Sequence, residues 1–177
     1  MNDSHRLMDA ATLRLAAARI AHEIAETIAP KDEMMVLGIQ RGGVGLARML
    51  ATELGRLWQK EVPSGTIDCG MYRDDVHERA SPDLYPTHIP GDVTGRIVVL
   101  ADDVIASGRS VRAAMDALNA LGRPKIVRLA VLIDRGRREV PVQPDFRGRT
   151  VKTGPTDRVV VKWLAEDGED AVYVVPA

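Results

Sequence analysis

Apolar residues along this chain follow two periods, and the switches between them outline its elements. Leu13, Ala17, Ile20, Ile24 and Ile28 recur at helical spacing until Pro30, which predicts an amphipathic helix over residues 9–29. Residues 34–39 form a short apolar run that predicts a strand, ending in Gln40-Arg41-Gly42-Gly43. A second helix is predicted to follow, with Val44, Ala47, Leu50, Ala51 and Leu54 inward and Gly55 near its end. Residues 66–72 predict another strand. Residues 73–95 hold three prolines and two glycines with little periodicity, and a segment this long inside a compact domain is either functional or disordered. Residues 97–101 are five consecutive apolar positions ended by Asp102 and Asp103, the pattern of a parallel strand buried on both faces. Val111, Met115, Leu118 and Leu121 line one helix face, closed by Gly122 and Pro124. Residues 126–133 predict a buried strand before Asp134-Arg135-Gly136. Residues 159–164 and 171–175 predict an antiparallel hairpin, with Asp167-Gly168 as its turn. Strands alternating with helices predict a single α/β domain over 1–177, with a mainly parallel central sheet flanked by helices.

The chemistry concentrates after the third of these strands. Ligands bind at the carboxyl ends of strands in open α/β sheets. Ser107-Gly108-Arg109-Ser110 opens a helix there, offering backbone N–H groups and a positive dipole end to a phosphate. Asp102 and Asp103, just upstream, can accept hydrogen bonds from vicinal sugar hydroxyls. Taken alone, two acids before a glycine turn also fit a plain loop and helix cap. The turn is neither a P-loop, because no G-K-[ST] follows, nor a dinucleotide fingerprint, because G-x-G-x-x-G is absent. Arg41-Gly42-Gly43 places a cation and permissive backbone at a second strand end, where a diphosphate could sit, although a simple strand-to-helix turn reads the same way. Arg135 fits either a guanidinium aimed into the same cleft or a surface partner of Asp134.

The sixteen residues IVVLADDVIASGRSVR (97–112) resemble the phosphoribosyl-diphosphate (PRPP) signature of the type I phosphoribosyltransferases: an apolar strand, two acids, a short spacer, then [ST]-G-x-[ST]. Ser107 and Ser110 replace the usual threonines and keep both hydroxyls. The resemblance implies the type I phosphoribosyltransferase fold, with a flexible flap over about 73–95 that closes to exclude water. MYRDD, LYPTHIPGDVTGR and LGRPKIVRLAVLIDRGRREVPV narrow it further. They are similar to the bifunctional pyrimidine-operon attenuation protein/uracil phosphoribosyltransferases, the PyrR family, from residue 20 to the C-terminal hairpin.

That likeness implies synthesis of UMP and diphosphate from uracil and PRPP, with Mg²⁺ carried on the substrate and no direct protein ligand for it. Asp102, Asp103 and Arg135 are the implied catalytic residues. Arg41, Gly42, Arg73, Val104, Ile105, Ala106, Ser107, Gly108, Arg109, Ser110 and Val159 are the implied contacts to PRPP and UMP. Ala106 stands where related purine enzymes carry an acid near the base, which favours a pyrimidine. The likeness further implies a homodimer or higher homo-oligomer, and binding of messenger leader RNA with UMP as co-regulator.

Composition sets the outer bounds. The net charge is -1 at pH 7, so no global field draws the chain to nucleic acid or membrane. Residues 122–162, however, carry eleven Lys and Arg against four Asp and Glu, so a polyanion would meet that third of the chain. One cysteine, Cys69, excludes an internal disulfide. The absence of a signal core or an apolar span leads us to expect a soluble cytoplasmic protein. Arg19, His22, Arg138, Arg149 and Lys152 are the RNA contacts that the resemblance implies. Aromatic residues are 3% of the chain, so RNA contacts must rest on phosphates rather than base stacking. The family pattern is broken at Ala18 for threonine, Arg137 for histidine, Gln143 for arginine, the 151–154 stretch, and the order of the 41–43 turn. Two alternatives therefore stand beside the enzyme: a non-enzymatic nucleotide-sensing RNA regulator, and a phosphoribosyltransferase for another base.

Overall fold

A computed structural model describes residues 4–75 and 84–176. Its centre is a five-stranded sheet, ordered β3-β2-β4-β5-β6 and parallel throughout. The strands are β2 (Met34–Ile39), β3 (Ser64–Ile67), β4 (Ile97–Ile105), β5 (Ile126–Asp134) and β6 (Phe146–Thr150). Helices α1 (Ala10–Thr27) and α2 (Gly43–Trp58) cover one face, and α3 (Arg109–Leu121) covers the other.

Alternation along β4 explains why its apolar run is unbroken. Ile97, Val99 and Ala101 pack toward α1 and α2, while Val98 and Leu100 pack toward α3. Asp9 caps α1 by accepting a 2.8 Å hydrogen bond from Thr12 N, and the helix buries Leu13, Ala17, Ile20, Ala21 and Ile24. Among the described residues no helix is long and apolar enough to cross a membrane.

A second sheet of three antiparallel strands, ordered β1-β8-β7, lies at one side. It joins β1 (His5–Met8), β7 (Arg158–Lys162) and β8 (Ala171–Val175). The predicted C-terminal hairpin is present, but its connection is not a two-residue turn. Residues Leu164–Asp167 form a short helix, α4, and Gly168 ends it at φ 78. The Asp167 and Asp170 carboxylates accept hydrogen bonds from Trp163 N and Leu164 N, both at 2.8 Å, and these favour a helical turn.

Two other expected boundaries shift. The strand expected over 66–72 runs earlier, over Ser64–Ile67, and Gly70–Tyr72 is a 3₁₀ turn. β4 extends past the acids to Ile105, because pairing with β5 continues to Ile105–Asp134. β1 and β6 had no counterpart among the expected strands. Of the expected flap, residues 76–83 lie outside the described residues. Tyr85 and His88 lie beside β2 and β3, where His88 bridges Thr66.

Candidate active site

The carboxyl ends of β3, β2 and β4 open into a cavity of about 500 Å³ lined by Ile39, Gln40, Arg41, Gly42, Asp68, Cys69, Gly70, Arg73, Tyr85, Asp102, Asp103, Val104 and Ser110. A smaller cavity of about 110 Å³ shares Asp102, Val104 and Ser110 with it, and adds Ile105, Ala106, Ser107, Gly108 and Val111. The acids therefore lie between a large compartment with two guanidinium groups and a small one formed by the loop before α3.

Asp102 is 7% exposed. Its carboxylate accepts a hydrogen bond from Asp103 N at 3.0 Å, and that of Asp103 accepts one from Val104 N at 2.7 Å. Among the described residues no Lys or Arg forms an ion pair with either acid. Burial raises both pKa values, and for Asp102 the neighbouring charge of Asp103 adds to the shift. Two desolvated carboxylates with no cation of their own are costly unless a ligand supplies hydroxyl donors or positive charge.

The small compartment is built by its carbonyls. Ala106 O accepts from Arg138 Nη1 at 2.9 Å, and Ser107 O accepts from the N–H groups of Glu139 and Val140 at 2.9 and 3.3 Å. Trans peptides direct N–H opposite to C=O. The amides of Ser107 and Gly108 therefore turn away from the 138–140 segment, toward the cavity. Gly108 takes φ 87, a left-handed conformation open to glycine, and leads into α3, whose first turn adds its own N–H groups. This is a nest for a phosphate.

The large compartment begins at the turn between β2 and α2. The Gln40–Arg41 peptide is cis. A side chain at Gly42 would collide with the Asp103 carboxylate, and one at Gly43 with Ala101 O; only glycine lets this turn lie against β4. Arg41 donates to Tyr85 Oη at 3.3 Å and lies 5.8 Å from that ring's centre. Arg73 forks onto Asp75 at 2.8 and 2.9 Å and donates to Ser110 Oγ at 3.0 Å. Cys69 is buried beside them, and burial together with the charges of Asp102 and Asp68 pushes its thiol up to about 11.

Most of the candidates from sequence thus converge: Arg41, Gly42, Arg73, Asp102, Asp103, Val104, Ile105, Ala106, Ser107, Gly108 and Ser110 all line one or other cavity. Arg109 lines neither cavity: its N–H donates to Ser107 Oγ at 3.3 Å, and its side chain reaches outward to Asp74 and Glu139 at 2.5 and 2.7 Å. Arg135 lies outside both linings, held by Thr153 Oγ1 at 2.9 Å and Asp157 O at 2.6 Å. It does not pair with Asp134, whose carboxylate is taken by Arg138 and Gly136 N. Val159 packs on the core side of β7.

Sequence reasoning missed Gln40, Asp68, Cys69, Gly70 and Tyr85. The strand-end rule that drew attention to β4 would have flagged 68–70 after β3 as well. It also missed Trp163, whose Nε1 donates to Gly42 O at 2.9 Å.

The model of the phosphoribosyl transferase domain matches residues 5–164. The "Bifunctional protein PyrR" of Streptomyces coelicolor is 48% identical, covering 88% of this chain and 81% of its own. The chain belongs to the PyrR family of phosphoribosyltransferases. The Thermus thermophilus PyrR is 46% identical over 94% of this chain and 92% of its own, and that of Leifsonia xyli is 43% identical over 95% and 94%.

Solved structures share the fold at greater distance. A hypoxanthine-guanine phosphoribosyltransferase from Bacillus anthracis superposes with a TM-score of 0.72 at 18% identity, over 97% of both chains. A hypoxanthine phosphoribosyltransferase from Trypanosoma cruzi gives 0.75 at 15%, over 99% of this chain and 92% of its own. The parallel sheet, flanking helices and separate antiparallel sheet are those of a type I phosphoribosyltransferase.

Proposed function

We propose that this PyrR-family protein transfers the phosphoribosyl group of PRPP to uracil, giving UMP and diphosphate. The observation that carries the proposal is the pair Asp102, buried, and Asp103, half-buried, neither ion-paired to a Lys or Arg among the described residues, between a phosphate nest and an arginine-lined cavity. A ribose 5-phosphate spans that arrangement. Its hydroxyls donate to the two carboxylates, its phosphate takes the amides of Ser107 and Gly108, and its diphosphate lies toward Arg41, Gly42 and Arg73.

In the reaction the C1–oxygen bond of the ribose breaks, its electron pair leaving with diphosphate, and uracil N1 bonds to C1 and loses its proton to solvent. The carboxylates favour the positive charge that grows on the sugar ring, and the guanidinium groups favour the negative charge on the leaving group. Ala106 supplies no carboxylate, so this position moves no proton at the base. Mg²⁺ keeps water ligands and takes oxygens from phosphates, so it would be carried on the substrate, with Asp102 and Asp103 beside it. When bound, that ion supplies charge to the leaving diphosphate. Catalysis by the chain itself is then mostly positioning.

The test is a base panel. The pure protein, PRPP and Mg²⁺ are incubated with uracil, guanine, xanthine or orotate. UMP forms from uracil alone. A purine nucleotide without UMP overturns the pyrimidine reading, and no nucleotide from any base leaves a sensor rather than an enzyme.

A second reading concerns RNA. Arg19 donates to the carbonyls of Arg147 and Gly148 on β6, and Arg149 reaches Leu7 O, so α1 and β6 gather basic side chains on one side of the molecule. Leader RNA meets this side through Arg19, His22, Arg149 and Lys152. Arg138 is the exception among the candidates, its side chain 12% exposed against 49% for Arg19, which itself pairs with Glu23. It is held by Asp134 Oδ2 and by the carbonyls of Ala106 and Val142, which leaves its fork committed to the phosphate loop. A labelled leader transcript, titrated with and without UMP across salt, binds more tightly than a scrambled RNA of equal length; equal affinity removes the RNA role.

A further inference from the structure

The small antiparallel sheet touches the diphosphate turn through one side chain. Trp163 follows β7 and is 5% exposed. Its indole lies against Gly45 so closely that a side chain there would enter the ring. Its backbone N–H is held by Asp167 Oδ2 at 2.8 Å, which fixes where the residue leaves the strand. From that seat Nε1 donates to Gly42 O at 2.9 Å. Gly42 is itself pressed against the Asp103 carboxylate. The Gly42 peptide is thus clamped between an indole on one side and a ribose-binding acid on the other.

We infer that Trp163 is a positioning residue for the diphosphate. It fixes the Gly42 peptide, and with it the Arg41 guanidinium and the first N–H groups of α2, in the arrangement that receives the leaving group. This inference rests on the reading of the 41–43 turn as the diphosphate site. The Nε1 hydrogen bond has a specific consequence. A buried indole needs an acceptor, and Gly42 O is the one this structure provides. The cost of breaking that bond falls on the turn and leaves the ribose acids and the phosphate nest intact.

The experiment separates these subsites. Trp163→Phe removes the N–H donor and keeps an aromatic ring in the same apolar seat. Magnesium diphosphate, UMP and PRPP are titrated into wild type and variant by calorimetry, and KM is measured for PRPP and for uracil. Loss of a single hydrogen bond weakens diphosphate and raises the KM for PRPP about fivefold, while UMP affinity and the KM for uracil stay at wild-type values. Gly45→Ala is the second variant, because its methyl group pushes the indole away without removing any polar group, and it gives the same split.

A folded Trp163→Phe protein that binds diphosphate like wild type overturns the inference, as does a variant that loses UMP and diphosphate in equal proportion, the mark of a merely structural role. Should Trp163→Phe fail to fold, Gly45→Ala decides on the same two criteria. Failure of the underlying reading looks different: wild type itself then shows no binding of magnesium diphosphate.

Discussion

Asp102→Asn should stabilise the protein while disabling it. Asp102 is buried and its neighbour Asp103 half-buried, neither pairs with a Lys or Arg among the described residues, and desolvation raises both pKa values. Unit charges about 4 Å apart repel by about 4 kcal/mol at an effective dielectric of about 20, and the repulsion falls with distance. Proton uptake relieves part of this, so removing one charge returns on the order of 1–3 kcal/mol. An asparagine keeps the acceptor for Asp103 N, so no hydrogen bond is lost in exchange.

For a chain of 177 residues, roughly 2–4 °C of Tm accompanies each kcal/mol, and a rise of about 2–12 °C at pH 7 is expected. The pH dependence has a definite sign. Because the native pKa values are raised, folding takes up protons that the unfolded chain would release. This contribution is fully present below about pH 3.9 and is lost as pH rises through the raised native values. Asp102→Asn should flatten that loss in a series of thermal melts from pH 4 to 8. In the same protein kcat/KM for PRPP should fall by about 10² to 10³, the scale for losing one preorganised electrostatic contact to a transition state. A variant that melts below wild type while retaining activity would refute the reasoning, since the acids would then be structural.

Three further outcomes follow from the geometry. Arg149→Ala should leave UMP synthesis unchanged and weaken leader RNA several-fold, read by filter binding at two salt concentrations; equal losses in both assays would mean that the two surfaces are not separate. Arg138→Met leaves Asp134, 3% exposed, with Gly136 N and the more distant Arg147, and should lower stability by about 2–4 kcal/mol in urea melts. Cys69, buried and with its thiol pushed up to about 11, should resist iodoacetamide at pH 8 in the native protein and react once urea unfolds it; prompt labelling of native protein would contradict its burial.

What could be read from sequence was whatever has a strong local period or a dense local motif. β4, the nest and α3 form one continuous stretch, and their chemistry is legible because phosphate and ribose contacts lie within ten residues of one another. β1 and β6 were not legible. His5–Met8 is four residues with one buried side chain, and it exists as a strand because β8, far along the chain, pairs with it. Phe146–Thr150 is a polar edge strand that buries Phe146 alone.

Gly168 shows how one local signal serves two structures. A glycine with positive φ can close a hairpin or end a helical turn, and the side chains of Asp167 and Asp170 decide in favour of the turn. Arg138 shows the converse. A basic residue in a basic third of the chain reads as a polyanion contact, yet its fork is consumed by a buried carboxylate and two carbonyls. Trp163 carries no sequence signal for its partner, because the contact with Gly42 spans 121 positions and depends on how the two sheets meet.

Both ends of the described chain are woven into the three-stranded sheet, where β8 lies between β1 and β7. Tailoring of residues His5–Met8 is therefore not a neutral edit. Clipping them bares one flank of β8 and loosens the platform that carries Trp163, so, on the role inferred for that indole, a trim at that end would act at a distance as a tuning screw on diphosphate affinity.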